Sequence, residues 1–173
     1  MNNKINLVKI DQSRFCDAIK AYFLWKELNV IIKTSHTRGI NFPEAISETL
    51  LCYVCGFELN KASAGDVYDV VNGQIIEVKA TSNFDGDVSS FSPKENFDNL
   101  FFVRLDQRND VLYFYNIRIS SEQLKLVKVN AKETLAIQQA QGRRPRLSII
   151  KTFIEKNDLK PCKTLDLRTK EIK

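Results

Sequence analysis

Two carboxylates and a lysine lie close together in the middle of this chain, on either side of a predicted β-hairpin. Asp66 precedes the turn signal Asn72-Gly73, and Glu77 and Lys79 follow it. Asn-Gly between two β-branched runs is typical of a two-residue type I′ turn. Counting outward from such a turn places Asp66 opposite Lys79 and all three side chains on one face of the strand pair. Two carboxylates with a positioned lysine could bind a hard divalent cation.

The same residues also have a simpler interpretation. Charged residues make up 27% of the chain, and a Lys–Asp pair across two strands usually stabilises a solvated sheet face by roughly 0.2–1 kcal/mol. The predicted register places Asp69 opposite Ile76, with its side chain on the other face. Because the register did not have to bring Asp66, Glu77 and Lys79 together, their convergence on one face favours the cation site over a surface ion pair.

A fourth carboxylate, Glu48, lies on a predicted helix that precedes the hairpin. Asn41 is the expected N-cap of this helix, and Glu44 completes a capping box three residues on. The helix is expected to run to Cys55 and to end at Gly56. Since Glu48 has no capping role, it is a candidate auxiliary metal ligand or water-positioning group. A solvated surface carboxylate is the alternative.

The remaining elements predict a mixed α/β domain built on one central sheet. Apolar spacing predicts a helix over residues 13–33, in which Phe23 and Trp25 could serve either the core or a subunit contact. A polar segment, residues 81–96, follows the hairpin, and the last fifteen residues are charged and expected to be loosely ordered. Two further strands and two further helices are predicted over residues 100–105, 111–117, 132–141 and 148–157. This order of elements is typical of helices packed on a single sheet.

Composition and charge limit the function classes. At 173 residues with a hydrophobic fraction of 43%, the chain is long enough for one domain with its own core. No apolar run approaches the ~20 residues of a membrane span, and the N-terminus lacks the pattern of a signal peptide. We therefore expect an intracellular protein without membrane contact.

The net charge of +5 is unevenly distributed. Residues 1–40 carry +4, residues 41–110 carry −7 and residues 111–173 carry +8. An acidic middle between basic flanks suits a metal site within a surface that binds a polyanion. Solubility alone is the competing explanation for Lys-rich flanks.

The chain has four cysteines and one histidine, which are few residues for a catalytic or metal site based on thiols or imidazoles. Cys52 and Cys55 form a C-x-x-C, but no second pair completes a zinc site. We expect all four cysteines to be free thiols, so any catalysis would depend on carboxylates.

Gly65-Asp66 followed by Glu77-Val78-Lys79 resembles the active-site motif of the PD-(D/E)xK nucleases, with Gly65 in place of the proline. Residues 38–48, 79–93 and 138–146 also resemble a small group of type II restriction endonucleases that recognise interrupted GC-rich palindromes of the GCNGC kind. The resemblance extends from residue 38 to the end. It implies a restriction-endonuclease-like α/β core, with a central mixed β-sheet flanked by helices.

The resemblance also implies a role for each matching position. Asp66 and Glu77 would hold Mg²⁺ together with the backbone carbonyl of Val78, and Lys79 would orient or deprotonate the attacking water. Glu48 would be an outer ligand. Mg²⁺ prefers oxygen ligands and acidifies bound water. The expected products carry a 5′-phosphate and a 3′-hydroxyl.

Double-stranded DNA is the implied substrate. Arginine is the commonest partner of guanine, so three arginines are candidates for base contacts, with phosphate anchoring or a solvated loop as the alternative: Arg143, Arg144 and Arg146. Four polar side chains after the catalytic strand could also reach DNA: Asn83, Ser89, Ser90 and Lys94. A palindromic target implies a homodimer. By analogy, the enzyme would work in the bacterial cytoplasm beside a DNA methyltransferase that does not bind it stably.

We therefore expect a single nuclease domain over residues 1–173. Residues 1–40 would form an N-terminal helical part and candidate dimer contact, residues 41–120 the catalytic core, and residues 121–173 a basic part for DNA recognition. Two other functions stay open: a structure-specific nuclease of the Holliday-junction type, and a non-catalytic DNA-binding module of the same fold. The three catalytic residue types are all present, which argues against the binding module.

Overall fold

The computed structural model describes residues 6–62 and 65–173. Within them lie four α-helices: α1 (Gln12–Ser35), α2 (Glu44–Cys55), α3 (Ser121–Lys125) and α4 (Leu135–Ala140). A π-helix follows at Ile150–Glu155. The strands are β1 (Leu7–Lys9), β2 (Glu58–Asn60), β3 (Val67–Asp69), β4 (Gln74–Thr81), β5 (Ser89–Ser90), β6 (Asn99–Asp106), β7 (Val111–Asn116), β8 (Arg146–Leu147) and β9 (Lys163–Asp166).

Seven of these strands form one mixed sheet in the order β1-β2-β3-β4-β6-β7-β9. The pair β4–β6 is parallel and the other pairs are antiparallel. Strands β5 and β8 form a separate two-stranded antiparallel pair. The predicted α/β architecture with one central mixed sheet is confirmed.

Helices cover both faces of the sheet. Alternate residues of the central strands therefore pack in two separate cores, one on each face. On β6, Phe101, Val103 and Leu105 pack in the core that α1 and α2 complete. Leu100 and Phe102 point the other way, into a second core that contains residues of α3, α4 and the π-helix. This alternation is the period-2 pattern of a strand buried on both faces.

Helix α1 confirms the predicted helix over residues 13–33 and places Trp25 in the core. The Asp11 side chain caps its first turn by accepting from the backbone N–H of Arg14 at 2.9 Å. Trp25 is 5% exposed, and its indole N–H donates to the Asn41 carbonyl. Phe23 packs against the same core. The two aromatic residues therefore belong to the fold, and other α1 side chains are exposed: Leu24, Leu28, Val30 and Ile31.

Helix α2 begins two residues later than predicted and ends where predicted. Pro43, in extended conformation, holds the N-cap position without a side-chain capping bond. The prediction of Asn41 as N-cap is wrong, because the Asn41 carbonyl is bound by α1 and the chain stays extended up to Pro43. Gly56 ends the helix at φ +75°, a conformation that glycine adopts without strain.

The hairpin register differs from the prediction by two residues. Asp69 pairs with Gln74, and the connection is a four-residue loop over residues 70–73. The Asp69 carboxylate accepts from the backbone N–H groups of Val71 at 2.9 Å and Asn72 at 3.1 Å. The turn bonded by the Asp69 side chain forms in place of the predicted two-residue turn. Gly73, at φ +67°, is the last residue of this four-residue loop. A shift by an even number leaves every side chain on its predicted face.

The C-terminal residues are part of the sheet, contrary to the prediction of loose order. Strand β9 pairs with β7, and Thr164 and Lys173 exchange backbone hydrogen bonds of 2.8 and 3.0 Å. Leu165 and Leu167 are fully buried, although charged residues surround them. The high charge of this segment led to the prediction of loose order, although the alternation of Leu165 and Leu167 with charged residues is typical of a strand. The helices predicted over residues 132–141 and 148–157 exist in shorter form, the second as the π-helix.

Candidate active site

Asp66 lies where the pairing between β3 and β4 ends. Strand β3 begins at Val67, opposite Ile76, so within the described residues the later part of β4 pairs with β6 alone. The Asp66 backbone N–H donates to the Ile76 carbonyl at 3.2 Å, and its carboxylate accepts from the Val78 N–H at 2.8 Å. A strand residue points its N–H and C=O to the same side. The Val78 carbonyl therefore faces this open edge together with Asp66.

Gly65 sets the path of the backbone into Asp66. Its φ is +71°, whereas proline is locked near −65°. A Cβ at this position would lie 2.3 Å from the Ile75 Cγ2 atom. Conformation and space therefore both explain why glycine occurs where the resembled motif has proline.

Glu77 and Lys79 lie two residues apart on β4 and share the face of the second core. Glu77 is 5% exposed, and Lys79 donates a hydrogen bond to its Oε1 in an ion pair. The Lys79 ammonium also lies 5.5 Å from the centre of the Phe91 ring. The ion pair with Glu77 and the contact with the Phe91 ring together hold the Lys79 side chain in place.

The carboxyl groups at this edge have raised pKa values, mainly because they are buried. Burial, with the charge of Asp66 next in size, raises the pKa of Glu77 to about 7, although Lys79 opposes the rise. Burial also raises the pKa of Asp66 against the hydrogen bond from Val78. Burial alone would lower the pKa of Lys79, but the charge and hydrogen bond of Glu77 together with the charges of Glu95 and Asp66 outweigh burial and raise this pKa. Burial thus opposes ionisation of both carboxyl groups, while Lys79 favours their ionised form.

Glu48 of α2 belongs to the same cluster. Burial, followed by the charges of Asp66, Glu44 and Glu77, raises the pKa of Glu48 to about 8. These charges act on Glu48 only because α2 packs where β4 leaves β3. The structure thus brings Glu48, which lies on α2, close to Asp66 and Glu77.

The oxygen donors fit a magnesium ion. In the described part of the chain, no three His, Cys, Asp or Glu residues form a ready-made cage. Mg²⁺ rarely needs one, because it keeps several waters and binds through one or two carboxylates plus substrate phosphates. Asp66, Glu77 and the Val78 carbonyl provide such a partial set. A bound cation would also favour the ionised form of the carboxyl groups, which burial and neighbouring carboxylates disfavour.

A paired arm lies beside the lysine; it consists of β5 and β8 with their flanking residues, 87–95 and 143–150. Ser90 pairs with Arg146, and Phe91 donates its backbone N–H to the Pro145 carbonyl at 3.1 Å. Phe91 also contacts Lys79 through its ring. Residues more than fifty positions apart in sequence are therefore paired next to the cluster.

Asp87 fastens the two segments of the arm together, a role that sequence reasoning missed. Its carboxylate accepts from the Ser148 hydroxyl at 2.7 Å and from the backbone N–H groups of Ile149 and Ile150 at 2.9 and 3.0 Å. Ser89 is 7% exposed and donates its hydroxyl to the same carboxylate. The structure thus gives Ser89 a partner inside the protein, and DNA contact by this residue stays a prediction.

The other candidate DNA contacts differ in how free they are. Arg143 pairs with Glu133 and bonds to Gln141, whereas the Arg144 side chain is 66% exposed. Arg146 and Lys94 are exposed, and Ser90 is half-buried. Asn83 lies apart from the arm, in an open depression of about 510 Å³ that Lys33 and Arg108 also line. Arg144, Arg146, Ser90 and Lys94 are therefore the candidates that the arm presents together.

Comparison with known proteins identifies the class. A sequence model of the Bsp6I restriction endonuclease family matches residues 10–156. The chain is also 62% identical over 167 residues to "Type II restriction enzyme Bsp6I" of Bacillus sp. (strain RFL6), covering 96% of each chain. No solved structure matches. This protein is therefore an enzyme of the restriction endonuclease class. It belongs to the Bsp6I restriction endonuclease family.

No helix among the described residues is long and apolar enough to cross a membrane.

Proposed function

We propose that this chain is a type II restriction endonuclease that cleaves double-stranded DNA with Mg²⁺ at a site formed by Asp66, Glu77 and Lys79. The observation that carries the proposal is the open edge of β4, where two carboxylates and a strand carbonyl converge next to a half-buried lysine. The match to the Bsp6I family over most of the chain supports the reaction class. We further propose that the core is of the PD-(D/E)xK type.

Each residue contributes what its surroundings allow. Asp66, Glu77 and the Val78 carbonyl would bind Mg²⁺, which supplies positive charge to the phosphate oxygens and acidifies water. Lys79, held by Glu77 against Phe91, would orient the attacking water and offset charge on the scissile phosphate. Glu48 would hold a water or act as an outer ligand. Hydrolysis would leave a 5′-phosphate and a 3′-hydroxyl.

Sequence recognition is assigned to the paired arm. Arg144 and Arg146 are exposed and can present a planar guanidinium to the O6 and N7 atoms of guanine. Ser90 and Lys94 lie on the same arm and would position the DNA backbone. The target would be a short GC-rich palindrome of the GCNGC kind. Arg143 is already paired with Glu133, which favours a supporting role for it.

A homodimer would place one active site on each strand of a palindrome. Leu24, Leu28 and Ile31 recur at helical spacing on α1 and are 67%, 48% and 63% exposed. We propose this apolar stripe, rather than the buried Trp25, as the contact with a second copy. A separate cytoplasmic DNA methyltransferase would protect host sites.

Cleavage of unmethylated phage DNA in the presence and absence of Mg²⁺, followed by sequencing of the fragment ends, tests the proposal. Discrete fragments with one GC-rich motif at every end are expected. Asp66→Asn, Glu77→Gln and Lys79→Ala should each slow cleavage by roughly 10²–10³-fold or more, with DNA binding retained. Glu122→Gln, at a side chain 74% exposed on α3, is the matched control. Parental cleavage by all three variants would reject the site.

The same assay separates the two other candidate functions. A structure-specific nuclease would leave linear phage DNA intact and cut cruciform substrates, and a binding module would cut neither. The family match favours the restriction enzyme over both.

A further inference from the structure

Glu95 lies between the proposed catalytic lysine and the arm. Its Oε1 atom is 3.8 Å from the Lys79 ammonium and 3.9 Å from the Arg144 guanidinium. Both distances are within ion-pair range but longer than a hydrogen bond. One carboxylate oxygen thus faces two cations that the proposed function assigns to different tasks.

The Glu95 side chain is held in place, although it is incompletely bonded. It follows Phe91 and precedes Phe97, which are 1% and 4% exposed in the second core. The side chain itself is 18% exposed. Its Oε2 atom is buried without a hydrogen-bond partner in the part of the chain that the structure describes. Such an atom is costly to leave unpaired, so its position needs a functional reason.

The two cations differ in how firmly they are held. The Lys79 side chain is 20% exposed and is hydrogen-bonded to Glu77, whereas Arg144 is 66% exposed. An exposed pair at 3.9 Å contributes little stability and separates easily. A phosphate or a guanine edge would therefore take Arg144 away from Glu95 while Lys79 stays.

We propose that Glu95 is a positioning residue that acts on Lys79, and that Arg144 shares it until DNA engages the arginine. With Arg144 on DNA, Glu95 attracts Lys79 alone and gives the lysine a second carboxylate partner besides Glu77. Correct engagement of the arm would in this way be transmitted to the catalytic lysine. The inference rests on the proposed function, because it assumes that Lys79 is catalytic and that Arg144 contacts DNA.

The first test measures kcat, DNA affinity and thermal stability of Glu95→Gln and Glu95→Asp on cognate DNA with Mg²⁺. Glu95→Gln removes the charge but keeps the size, so kcat should fall roughly 10–100-fold, as for other positioning partners. DNA affinity should be unchanged or higher, because Arg144 loses its internal competitor. Glu95→Asp keeps the charge and should give an intermediate kcat. Parental kcat in Glu95→Gln overturns the inference. So does a joint fall of kcat, affinity and melting temperature without rescue by aspartate.

The second test asks whether Arg144 acts through Glu95. The measured quantity is the ratio of kcat on cognate DNA to kcat on DNA with one altered base pair in the site. Arg144→Ala should lower this ratio in the parent enzyme and lower it less in Glu95→Gln, where only the direct contact of Arg144 with the base is lost. Equal effects in both backgrounds would refute the sharing of Glu95.

Lys79→Ala separates failure of the inference from failure of the proposed function. If this variant cleaves like the parent, the proposed site itself is wrong. If it is inactive while Glu95→Gln is fully active, only the role of Glu95 is rejected.

Discussion

The Asp66 carboxylate takes the place of a neighbouring strand by accepting the Val78 backbone N–H at 2.8 Å. Elsewhere in a sheet that N–H would bond to a carbonyl of the next strand. Here β3 starts one residue after Asp66, so a side chain satisfies the N–H, and among the residues that the structure describes no strand pairs with Val78 on this side. One hydrogen bond thus fixes the Asp66 carboxylate at the edge where the proposed Mg²⁺ ligands meet.

Gly65→Ala should disturb this arrangement. The φ of +71° costs a non-glycine residue about 1–2 kcal/mol, and the new Cβ would press on Ile75 at 2.3 Å. We expect lower stability in urea titration and a larger loss of cleavage than the stability change explains. Gly142→Ala is the matched control, since Gly142 has φ +73° and no atom within 4 Å of its Cβ position. Equal effects of the two substitutions would show that contact with Ile75 is unimportant.

The sequence predicted which side chains lie close together better than it predicted their register; their role as the active site stays a prediction. Successive side chains of a strand point to opposite faces, so a register error of two residues does not change the face assigned to Asp66, Glu77 or Lys79. The error arose because Asp69 bonds to the turn with its side chain, which competes with the Asn-Gly signal. Residues whose roles depend on distant partners could not be found from spacing. Asp87 acts on residues 148–150, and Glu95 reaches Lys79 and Arg144 only after the chain has folded.

Asp87→Ala should detach the two segments of the arm. Loss of a cap costs about 0.5–2 kcal/mol, and here it also releases Ser148, Ile149 and Ile150 from the segment next to Lys79. We expect a modest loss of stability with a strong loss of specific cleavage. Asp11→Ala removes the cap of α1 at a comparable cost and controls for stability. If both variants cleave equally well, the arm does not need this connection.

Asp110 should make stability depend on acid pH. It is fully buried and accepts from Tyr22, Lys26 and Arg168. Burial alone would raise its pKa, but these hydrogen bonds outweigh burial and lower it. A lowered pKa stabilises the fold above the ordinary carboxyl range, near pH 4, and this contribution is lost as the pH falls through the folded pKa.

Asp110→Asn should therefore reduce the free energy of unfolding by about 2–3 kcal/mol at pH 7, because it leaves two cations without their carboxylate. The difference from the parent should shrink below pH 4. Denaturant titrations from pH 3 to 7 measure both quantities. A difference that does not change with pH would assign the effect to packing.

The stripe on α1 provides the test of assembly. Leu24 and Leu28 are 67% and 48% exposed, one turn apart, and substitution of both by glutamate would place two charges in an apolar contact. Sedimentation should show a dimer for the parent enzyme and a monomer for the double variant, and the variant should nick one strand rather than cut both. Val71→Glu, at a side chain 88% exposed in the hairpin loop, adds a charge away from the stripe and should leave the dimer intact. A double variant that still sediments as a dimer would place the contact on another surface.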